Sequence, residues 1–446
     1  MYSLGIDVGT SGIRAVIMDK QHKICAQAQN ALPPGQKFYS AQGQVIGFYQ
    51  NPFDWWKTLE AVIFLLAKEF QQAKTLQLDA VTHLAIDGTS GTVLLADKTG
   101  NPCSDALMYN DQRAIQQSDI IKACAPDNTA AIGTTSGLAK LLWLFKHSNC
   151  RDAIKFSLNQ SDWLSGKLMG TYGQSDHNNA LKMGYDPQLQ CWPDWLTALL
   201  ETQGFPVSSL PEVNSPGRII GTIASDMANQ FGFNPQLHIC AGTTDSTAAI
   251  IASGAKQSGE AVTSLGSSLV MKVISQQPVF DQQSGVYSQP YGNLWLAGGS
   301  SNSGGEVLRH YISADHLPQL TDRLNRKMSQ GQFSMLDLNY YPLICPGERF
   351  PIQNPDYQPR LSPKPEQEID FFQALLEGMA DIETMAYQRL LELGAPYPKL
   401  VKSIGGGAYN KAWRDIREQK LGVPVRLADQ EQAATGSAIL AQTHIG

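Results

Sequence analysis

Two segments of the chain place short apolar runs on either side of a turn rich in glycine, serine and threonine. The first runs from Ser3 to Asp19 with the turn Gly-Thr-Ser-Gly, and the second runs from Ala261 to Ile274 with the turn Gly-Ser-Ser. Apolar runs joined by such a turn predict a β-hairpin. Because the same unit occurs in both halves of the chain, we expect an internal duplication.

Strand-like and helical patterns alternate along the rest of the chain. Val81 to Ala96 predicts a strand, a glycine-rich turn and a second strand, and Gln236 to Thr247 predicts a strand that enters a loop. The segments Phe53 to Phe70 and Phe371 to Leu393 carry apolar residues at the spacing of an amphipathic helix. Strands that alternate with helices predict an α/β fold.

The length of the chain predicts more than one domain. Its 446 residues exceed what a single hydrophobic core usually supports. The small and flexible residues of Ile251 to Gly259 come just before the second predicted hairpin. We therefore expect an N-terminal domain of residues 1–252 and a C-terminal domain of residues 253–446.

Composition and charge favour an enzyme that acts on small molecules. The formal net charge is −6 and no dense run of Lys or Arg occurs, so neither nucleic acid nor an anionic membrane is an expected partner. The seven cysteines have no C-x-x-C spacing, which favours a reducing compartment. No apolar stretch is long enough to cross a bilayer. We expect a cytoplasmic protein, monomeric or homodimeric, whose metal arrives with its substrate.

The turn of the first predicted hairpin has the composition of a phosphate-binding loop. Glycine, threonine and serine offer closely spaced N–H groups and hydroxyls, and glycine lets a phosphate approach the backbone. Asp7, on the strand that enters the turn, could hold a water of Mg²⁺. Taken alone, the hairpin is more often a plain structural turn. The residues that would form the cradle are Gly9, Thr10, Ser11 and Gly12.

Two further segments offer a candidate general base and a candidate nucleotide-binding turn. Asp245 follows an apolar strand and has small neighbours, so it could act as a general base toward a sugar hydroxyl or simply cap a helix. Ser403 to Asn410 predicts a strand, a triple-glycine turn and the start of a helix, where adenine could lie against the backbone. The alternative there is a tight connection. A P-loop is excluded because G-x-x-x-x-G-K-[ST] is absent.

Taken together and in this order, these segments resemble the FGGY carbohydrate kinases. The quoted motifs are G-I-D-V-G-T-S, S-L-G-S-S, P-G-E-R-F-P, A-L-L-E-G-M-A and G-G-G-A-Y-N, and they span nearly the whole chain. The resemblance implies an α/β fold of the actin-like ATPase superfamily, with two ribonuclease-H-like domains around a central cleft. It also implies ATP as co-substrate and Mg²⁺ as cofactor.

The resemblance implies roles for individual residues. Asp245 matches the catalytic base, Asp7 is the second catalytic carboxylate, and both flank the Mg²⁺. The implied nucleotide-binding residues are Gly9, Thr10, Ser11, Gly266, Ser267, Ser268, Gly406, Gly407 and Asn410. The implied substrate-binding residues are Ser11, Gly12, Asp87, Ser90, Asp111, Arg113 and Asp245.

The expected sugar rests on two short segments. Met108 to Arg113 resembles the W-x-D-x-R segment of the family, with Tyr109 in place of Trp. In the segment Asp-Gly-Thr-Ser-Gly, Ser90 stands where xylulose kinases have His, a pattern similar to the ribulokinase-like sugar kinases of cyanobacteria and plant plastids. We expect D-ribulose as substrate, with D-xylulose or another small sugar or polyol as the alternative.

A different class of protein would share some of these motifs. An actin-like ATPase that acts as a chaperone, sensor or filament subunit would have both hairpins and the adenosine turn but needs no sugar pocket. Ser90, Asp111 and Arg113 favour a kinase. Because Asp7 and Asp245 are both present, a regulatory protein without catalysis is disfavoured.

Overall fold

The structure is a computed structural model that describes residues 2–74, 76–281 and 283–443. The chain forms two compact units. The first runs to Ala252 and takes up the chain again from Gln432, and the second is Ser253–Glu431. The change of unit falls where residues 1–252 were expected to end. The chain from Gln432 onward, which falls in the expected range 253–446, packs with the first unit.

The first unit combines a mixed β-sheet with helices. Its strands are β1 (Tyr2–Val8), β2 (Gly12–Asp19), β3 (Ile24–Ala31), β4 (Gln36–Tyr39), β5 (Val45–Gln50), β6 (Val81–Gly88), β7 (Val93–Ala96), β8 (Ala106–Leu107), β9 (Phe156–Asn159), β10 (Gln174–Asp176), β11 (Glu212–Asn214), β12 (Ile219–Thr222) and β13 (His238–Thr244). Its helices up to Ala252 are α1 (Pro52–Lys74), α2 (Ile115–Cys124), α3 (Gly137–His147), α4 (Gln160–Met169), α5 (His177–Leu181), α6 (Asp194–Thr202), α7 (Ser225–Phe231) and α8 (Asp245–Ala252).

The main sheet of the first unit has the strand order β12-β13-β6-β1-β2-β3. Strands β1 and β2 form the predicted antiparallel hairpin, whereas β1, β6 and β13 run parallel to one another. A second sheet has the order β4-β5-β8-β7-β9. The predicted strands of Val81 to Ala96 therefore exist as β6 and β7 but belong to different sheets. The predicted helix of Phe53 to Phe70 is α1.

The second unit repeats the arrangement of a hairpin beside parallel strands. Strands β14 and β15 form the second predicted hairpin, and β18 pairs with β14 in parallel. The strand order is β16-β17-β15-β14-β18-β19. The strands are β14 (Glu260–Leu265), β15 (Leu269–Ser275), β16 (Tyr287–Tyr291), β17 (Leu294–Ser301), β18 (Leu400–Ile404) and β19 (Val425–Leu427). The helices are α9 (Gly305–Tyr311), α10 (His316–Ser329), α11 (Glu368–Glu392) and α12 (Lys411–Leu421).

Helix α13 (Ala433–Leu440) returns the chain to the first unit. Its small residues allow a very close approach to the sheet and to α8. A Cβ atom on Gly5 would lie 1.9 Å from the carbonyl oxygen of Ala434, and one on Gly436 would lie 1.8 Å from that of Ala248. Since real Cβ atoms do not come that close, these glycines fix how α13 packs.

Candidate active site

Three carboxyl groups belong to one edge of the main sheet of the first unit. Asp7 and Asp87 lie side by side near the carboxyl ends of β1 and β6, and Thr243 of β13 lies opposite Asp87. Asp245 follows two residues later as the first residue of α8, where a loop had been predicted. The carboxyl ends of parallel strands meet at one edge, so the topology collects these three acids.

Asp7 and Asp87 form a hydrogen-bonded carboxyl pair. Burial raises the pKa of Asp7, while the hydrogen bond with Asp87 and the nearby Arg14 act to lower it. The Arg14 Nη1 atom is 3.6 Å from Asp7 Oδ2. Burial raises the pKa of Asp87 well above its ordinary value, and the charges of Asp7 and Asp245 raise it further. Burial therefore disfavours the charged form of Asp87 more strongly than that of Asp7.

Helix α13 supplies the main protein contact to Asp87. Ser437 Oγ donates a hydrogen bond of 2.6 Å to Asp87 Oδ2. Asp87 is fully buried, and its Oδ1 atom accepts no hydrogen bond from an N–H or O–H group of the described residues. The site therefore contains a buried carboxyl oxygen that a metal-bound water or a substrate hydroxyl could satisfy.

The turn between β1 and β2 is held by its carbonyl groups. The Gly9 N–H bonds the Gly12 carbonyl at 3.0 Å, and the Ser11 carbonyl accepts the Leu32 N–H at 2.9 Å. The Thr10 carbonyl accepts Gln50 Nε2 at 3.2 Å. Thr10 and Ser11 are both exposed. This leaves their side chains on the surface of the unit, as a phosphate-binding turn requires.

Asp111 and Arg113 form a buried ion pair. Asp111 Oδ2 accepts the Phe48 N–H at 2.8 Å, and Arg113 Nε donates to both carboxylate oxygens at 3.0 and 2.9 Å. The Arg113 guanidinium lies 4.1 Å from the ring centroid of Phe38 and 4.9 Å from that of Trp143. The carboxylate is thus saturated by protein donors, and the guanidinium is enclosed by aromatic rings. This geometry joins β5 to the segment after β8.

Two polar atoms in the neighbouring turns have no partner. Ser90 Oγ and Asn110 Oδ1 are buried and make no hydrogen bond within the described residues. Buried polar atoms are normally paired, so each is suited to a hydroxyl of a bound sugar. Asn110 was not among the residues selected from the sequence, because the resemblance drew attention to its neighbours Tyr109 and Asp111.

A cluster of buried polar side chains around α5 was not predicted from the sequence. Asp176 caps α5 by accepting the N–H groups of Asn178 and Asn179 at 2.8 and 3.1 Å. Asn178 Nδ2 donates to Thr243 Oγ1 at 2.9 Å, which ties this cap to the strand that leads to Asp245. The side-chain oxygens of both asparagines have no partner in the described part of the chain. An Asp followed by a polar run is a recognisable helix start, but its burial is not.

The turn between β14 and β15 in the second unit packs on the start of α9. The N–H groups of Gly305 and Glu306 donate to the carbonyls of Gly266 and Ser267 at 2.8 and 3.1 Å. Arg309 Nη2 donates to Ser267 Oγ at 3.2 Å, and Ser268 leads into β15. A Cβ atom on Gly305 would lie 2.7 Å from the Gly266 carbonyl oxygen. The turn is therefore a tight, fixed element.

The triple-glycine segment forms a short turn before α12. Gly405 has a φ of +84°, and a Cβ atom on Gly407 would lie 2.5 Å from the Trp413 ring, whereas one on Gly406 would meet nothing. Asn410 caps α12 by accepting the Trp413 N–H at 3.0 Å. Gly406 is therefore the open position of this turn, and the predicted adenosine residues Gly407 and Asn410 also have structural roles.

The described residues contain neither a cluster of metal-binding side chains nor a membrane-spanning helix. Within ranges 2–74, 76–281 and 283–443, no group of three or more His, Cys, Asp or Glu side chains could hold a metal ion directly. In the same residues, no helix has both the length and the apolarity needed to cross a membrane.

The chain was compared with known protein families, curated proteins and solved structures. Residues 2–252 match the N-terminal domain of the FGGY family of carbohydrate kinases, and residues 261–444 match its C-terminal domain. The xylulose kinase of Staphylococcus xylosus is 24% identical over 461 residues, which cover 99% of this chain and 90% of that protein.

Solved structures show the same fold. A xyloylose kinase from Brucella ovis has a TM-score of 0.86 at 21% identity, over 99% of this chain and 90% of that one. The gluconate kinase from Lactobacillus acidophilus has a TM-score of 0.83 at 18% identity, over 100% of this chain and 89% of that one. The predicted α/β fold is confirmed.

Proposed function

This chain belongs to the FGGY family of carbohydrate kinases, and on that premise we propose that it phosphorylates the terminal hydroxyl of a ketopentose, with D-ribulose preferred. ATP-dependent phosphorylation of a sugar is the activity of the family. The observation that carries the site assignment is the group of three carboxyls, Asp7, Asp87 and Asp245, at one edge of the sheet of the first unit.

Asp245 is the proposed general base. It lies at the exposed end of this group, as the first residue of α8, and is only partly buried. In the reaction, the sugar hydroxyl oxygen forms a bond to the γ-phosphorus while the bond from that phosphorus to the bridging oxygen of ADP breaks. The electron pair of the broken bond leaves with ADP, and the hydroxyl proton passes to the Asp245 carboxylate.

Asp7 and Asp245 are the proposed carboxylates beside Mg²⁺. Mg²⁺ is usually bound by one or two carboxylates together with waters and substrate phosphates, and Asp7 and Asp245 would supply those carboxylates. When bound, the ion would neutralise charge on the phosphates. The unpaired Oδ1 atom of Asp87 fits a water in the shell of such an ion.

The glycine-rich turns are the proposed nucleotide contacts. The turn between β1 and β2, with Ser11 shared by sugar and phosphate, is the proposed phosphate contact of the first unit, and the turn between β14 and β15 is that of the second unit. Gly406 would lie against the adenosine, since it is the open position of its turn. The proposed residues are Gly9, Thr10, Ser11, Gly266, Ser267, Ser268, Gly406, Gly407 and Asn410.

The sugar would be selected by Ser90 and Asn110, with Gly12 allowing close approach. Asp111 and Arg113 would act by holding the turns in place, because both oxygens of the Asp111 carboxylate already accept from Arg113 Nε. D-ribulose and D-xylulose differ at one hydroxyl, and a buried polar atom left unpaired by the wrong epimer costs roughly 1–3 kcal/mol. Ser90, which carries a small hydroxyl, supports D-ribulose and the ribulokinase-like placement.

D-xylulose is the second candidate. It is favoured because curated relatives that align with almost the whole chain are xylulose kinases. A coupled ADP-release assay over pentuloses, hexuloses and polyols separates the two candidates. We expect kcat/KM for D-ribulose to exceed that for D-xylulose by about tenfold or more. Ser90→Ala should lose this preference, and Ser104→Ala, at an exposed position, should keep it. A wild-type enzyme that prefers D-xylulose would refute the D-ribulose assignment.

A further inference from the structure

Lys140 is a fully buried lysine that no sequence motif singled out. It lies on α3 with 0% of its surface exposed. Burial lowers the pKa of Lys140 well below its ordinary value, and the nearby Lys182 lowers it further while Asp111 opposes the shift. Within the described residues, no carboxylate forms an ion pair with Lys140. An apolar side chain would cost less to bury at such a position, so a lysine there calls for a specific explanation.

The ammonium group of Lys140 joins two turns. Its Nζ atom donates to the carbonyl of Gly91 at 2.5 Å and to that of Met108 at 2.9 Å. Gly91 belongs to residues 88–92, which we name the Ser90 turn, and Met108 belongs to residues 108–111, which we name the Asn110 turn. Each carbonyl thus belongs to a turn that also contains an unpaired buried polar atom, Ser90 Oγ or Asn110 Oδ1.

Thr92 joins the same two turns a second time. Its Oγ1 atom accepts the Tyr109 N–H at 3.0 Å and is 2.5 Å from Thr89 Oγ1. Thr89 Oγ1 in turn donates to Gln160 Oε1 at 3.0 Å, so the Thr92 hydroxyl donates to Thr89. The hydrogen-bond directions are therefore fixed, and the bond to Gln160 connects both turns to α4.

We propose that Lys140 and Thr92 are positioning residues that hold the Ser90 turn and the Asn110 turn at the separation needed for sugar recognition. This inference rests on the proposed sugar site, because it assigns Ser90 Oγ and Asn110 Oδ1 to hydroxyls of the same sugar. A small displacement of one turn against the other would spoil both hydrogen bonds together. Since a misplacement of about 1 Å can cost on the order of 100-fold in rate, the effect should be large.

Lys140→Met tests the first tie with a side chain of similar length. We expect KM for the sugar to rise about tenfold or more, with KM for ATP unchanged within about twofold. The matched control is Lys146→Met on the same helix, because Lys146 is exposed and its ammonium group donates only to Gln116 Oε1 in the described residues. A purely structural lysine would change the yield or melting temperature of the variant, but not the sugar KM of the folded enzyme.

Thr92→Val and Thr92→Ser test the second tie without altering charge, and they decide the question if Lys140→Met does not fold. We expect Thr92→Val to raise the sugar KM and Thr92→Ser, which keeps the hydroxyl, to restore it. Unchanged sugar KM in both Lys140→Met and Thr92→Val, or equal rises for sugar and ATP, would overturn the proposal.

The sugar used for these measurements is the best substrate of the wild type in the panel. A wild-type preference for D-xylulose would thus refute the D-ribulose assignment. The sugar KM of the Lys140 and Thr92 variants would then be measured with D-xylulose. The two proposals therefore fail by different results: one by the order of the sugars, the other by the sugar KM of the variants.

Discussion

The buried carboxyls Asp162 and Asp176 should make the stability of the first unit depend on pH. Burial, helped by the charge of Asp162, raises the pKa of Asp176 from 3.8 to about 7, and burial raises the pKa of Asp162 to about 6. A carboxyl with a higher pKa in the folded than in the unfolded chain contributes stability that is fully present below its unfolded pKa. That contribution is lost as the pH rises through the folded pKa. The free energy of unfolding should therefore fall between about pH 4 and pH 7.

The size of the effect follows from the shift. A change in the pKa of Asp176 from 3.8 to about 7 corresponds to roughly 4 kcal/mol at about 1.36 kcal/mol per unit. In Asp176→Asn the side chain cannot ionise, and its Oδ1 atom can still accept the Asn178 N–H that Asp176 accepts at 2.8 Å. The unfolding free energy of the variant relative to wild type should therefore increase by about 4 kcal/mol as the pH rises from 4 to 8.

Urea unfolding followed by tryptophan fluorescence at several pH values between 4 and 8 measures this difference. Asp194→Asn is the matched control, because Asp194 also starts a helix but is exposed. We expect the control to follow the pH dependence of the wild type and Asp176→Asn to show a shallower decline. Parallel curves for wild type and Asp176→Asn would refute the reasoning, since they would mean that Asp176 takes up no proton on folding.

Three further predictions concern the carboxylates of Asp245 and Asp7 and the packing of α13 at Gly436. Asp245→Ala should lower kcat by about 10²–10⁴-fold with a much smaller change in sugar binding, and near-normal turnover would remove Asp245 as the base. Asp7→Asn should weaken turnover and its dependence on Mg²⁺ together, and an unchanged Mg²⁺ titration would contradict the assignment. Gly436→Ala should destabilise the first unit by about 1–3 kcal/mol or more, because its Cβ would lie 1.8 Å from the Ala248 carbonyl oxygen. An unchanged urea midpoint would count against this packing.

Local patterns were sufficient to predict the hairpins and the long helices. The turns of Ser3 to Asp19 and Ala261 to Ile274 carry glycine and serine between apolar runs, and both are antiparallel hairpins in the structure. Helix α11 extends a few residues before the predicted start at Phe371 because Glu368 and Asp370 lie in its first turn, where acidic residues are favoured. Such features depend on neighbours in sequence, which a single chain displays directly.

The partners of the carboxyls could not be predicted from the sequence. Nothing local indicates that Asp7 and Asp87 share one register position, because that depends on the parallel pairing of β1 with β6. The same holds for Asp111 and Arg113, whose spacing matched a sugar-binding motif but whose polar groups bond to each other and to the Phe48 N–H. Motif matching identifies residue types in order, whereas burial and saturation of hydrogen bonds are decided by distant segments.

The Asp87 carboxyl depends on helix α13 for its hydroxyl donor, Ser437. Helix α13 begins only after the whole second unit has been traversed, yet Ser437 Oγ provides the 2.6 Å hydrogen bond to Asp87 Oδ2. Before α13 packs, that oxygen has no hydroxyl donor from this helix, and β1 lacks the helix for which Gly5 leaves room. Because a buried carboxyl without its donor is costly, the first unit reaches its final arrangement only when residues that follow the second unit have joined it.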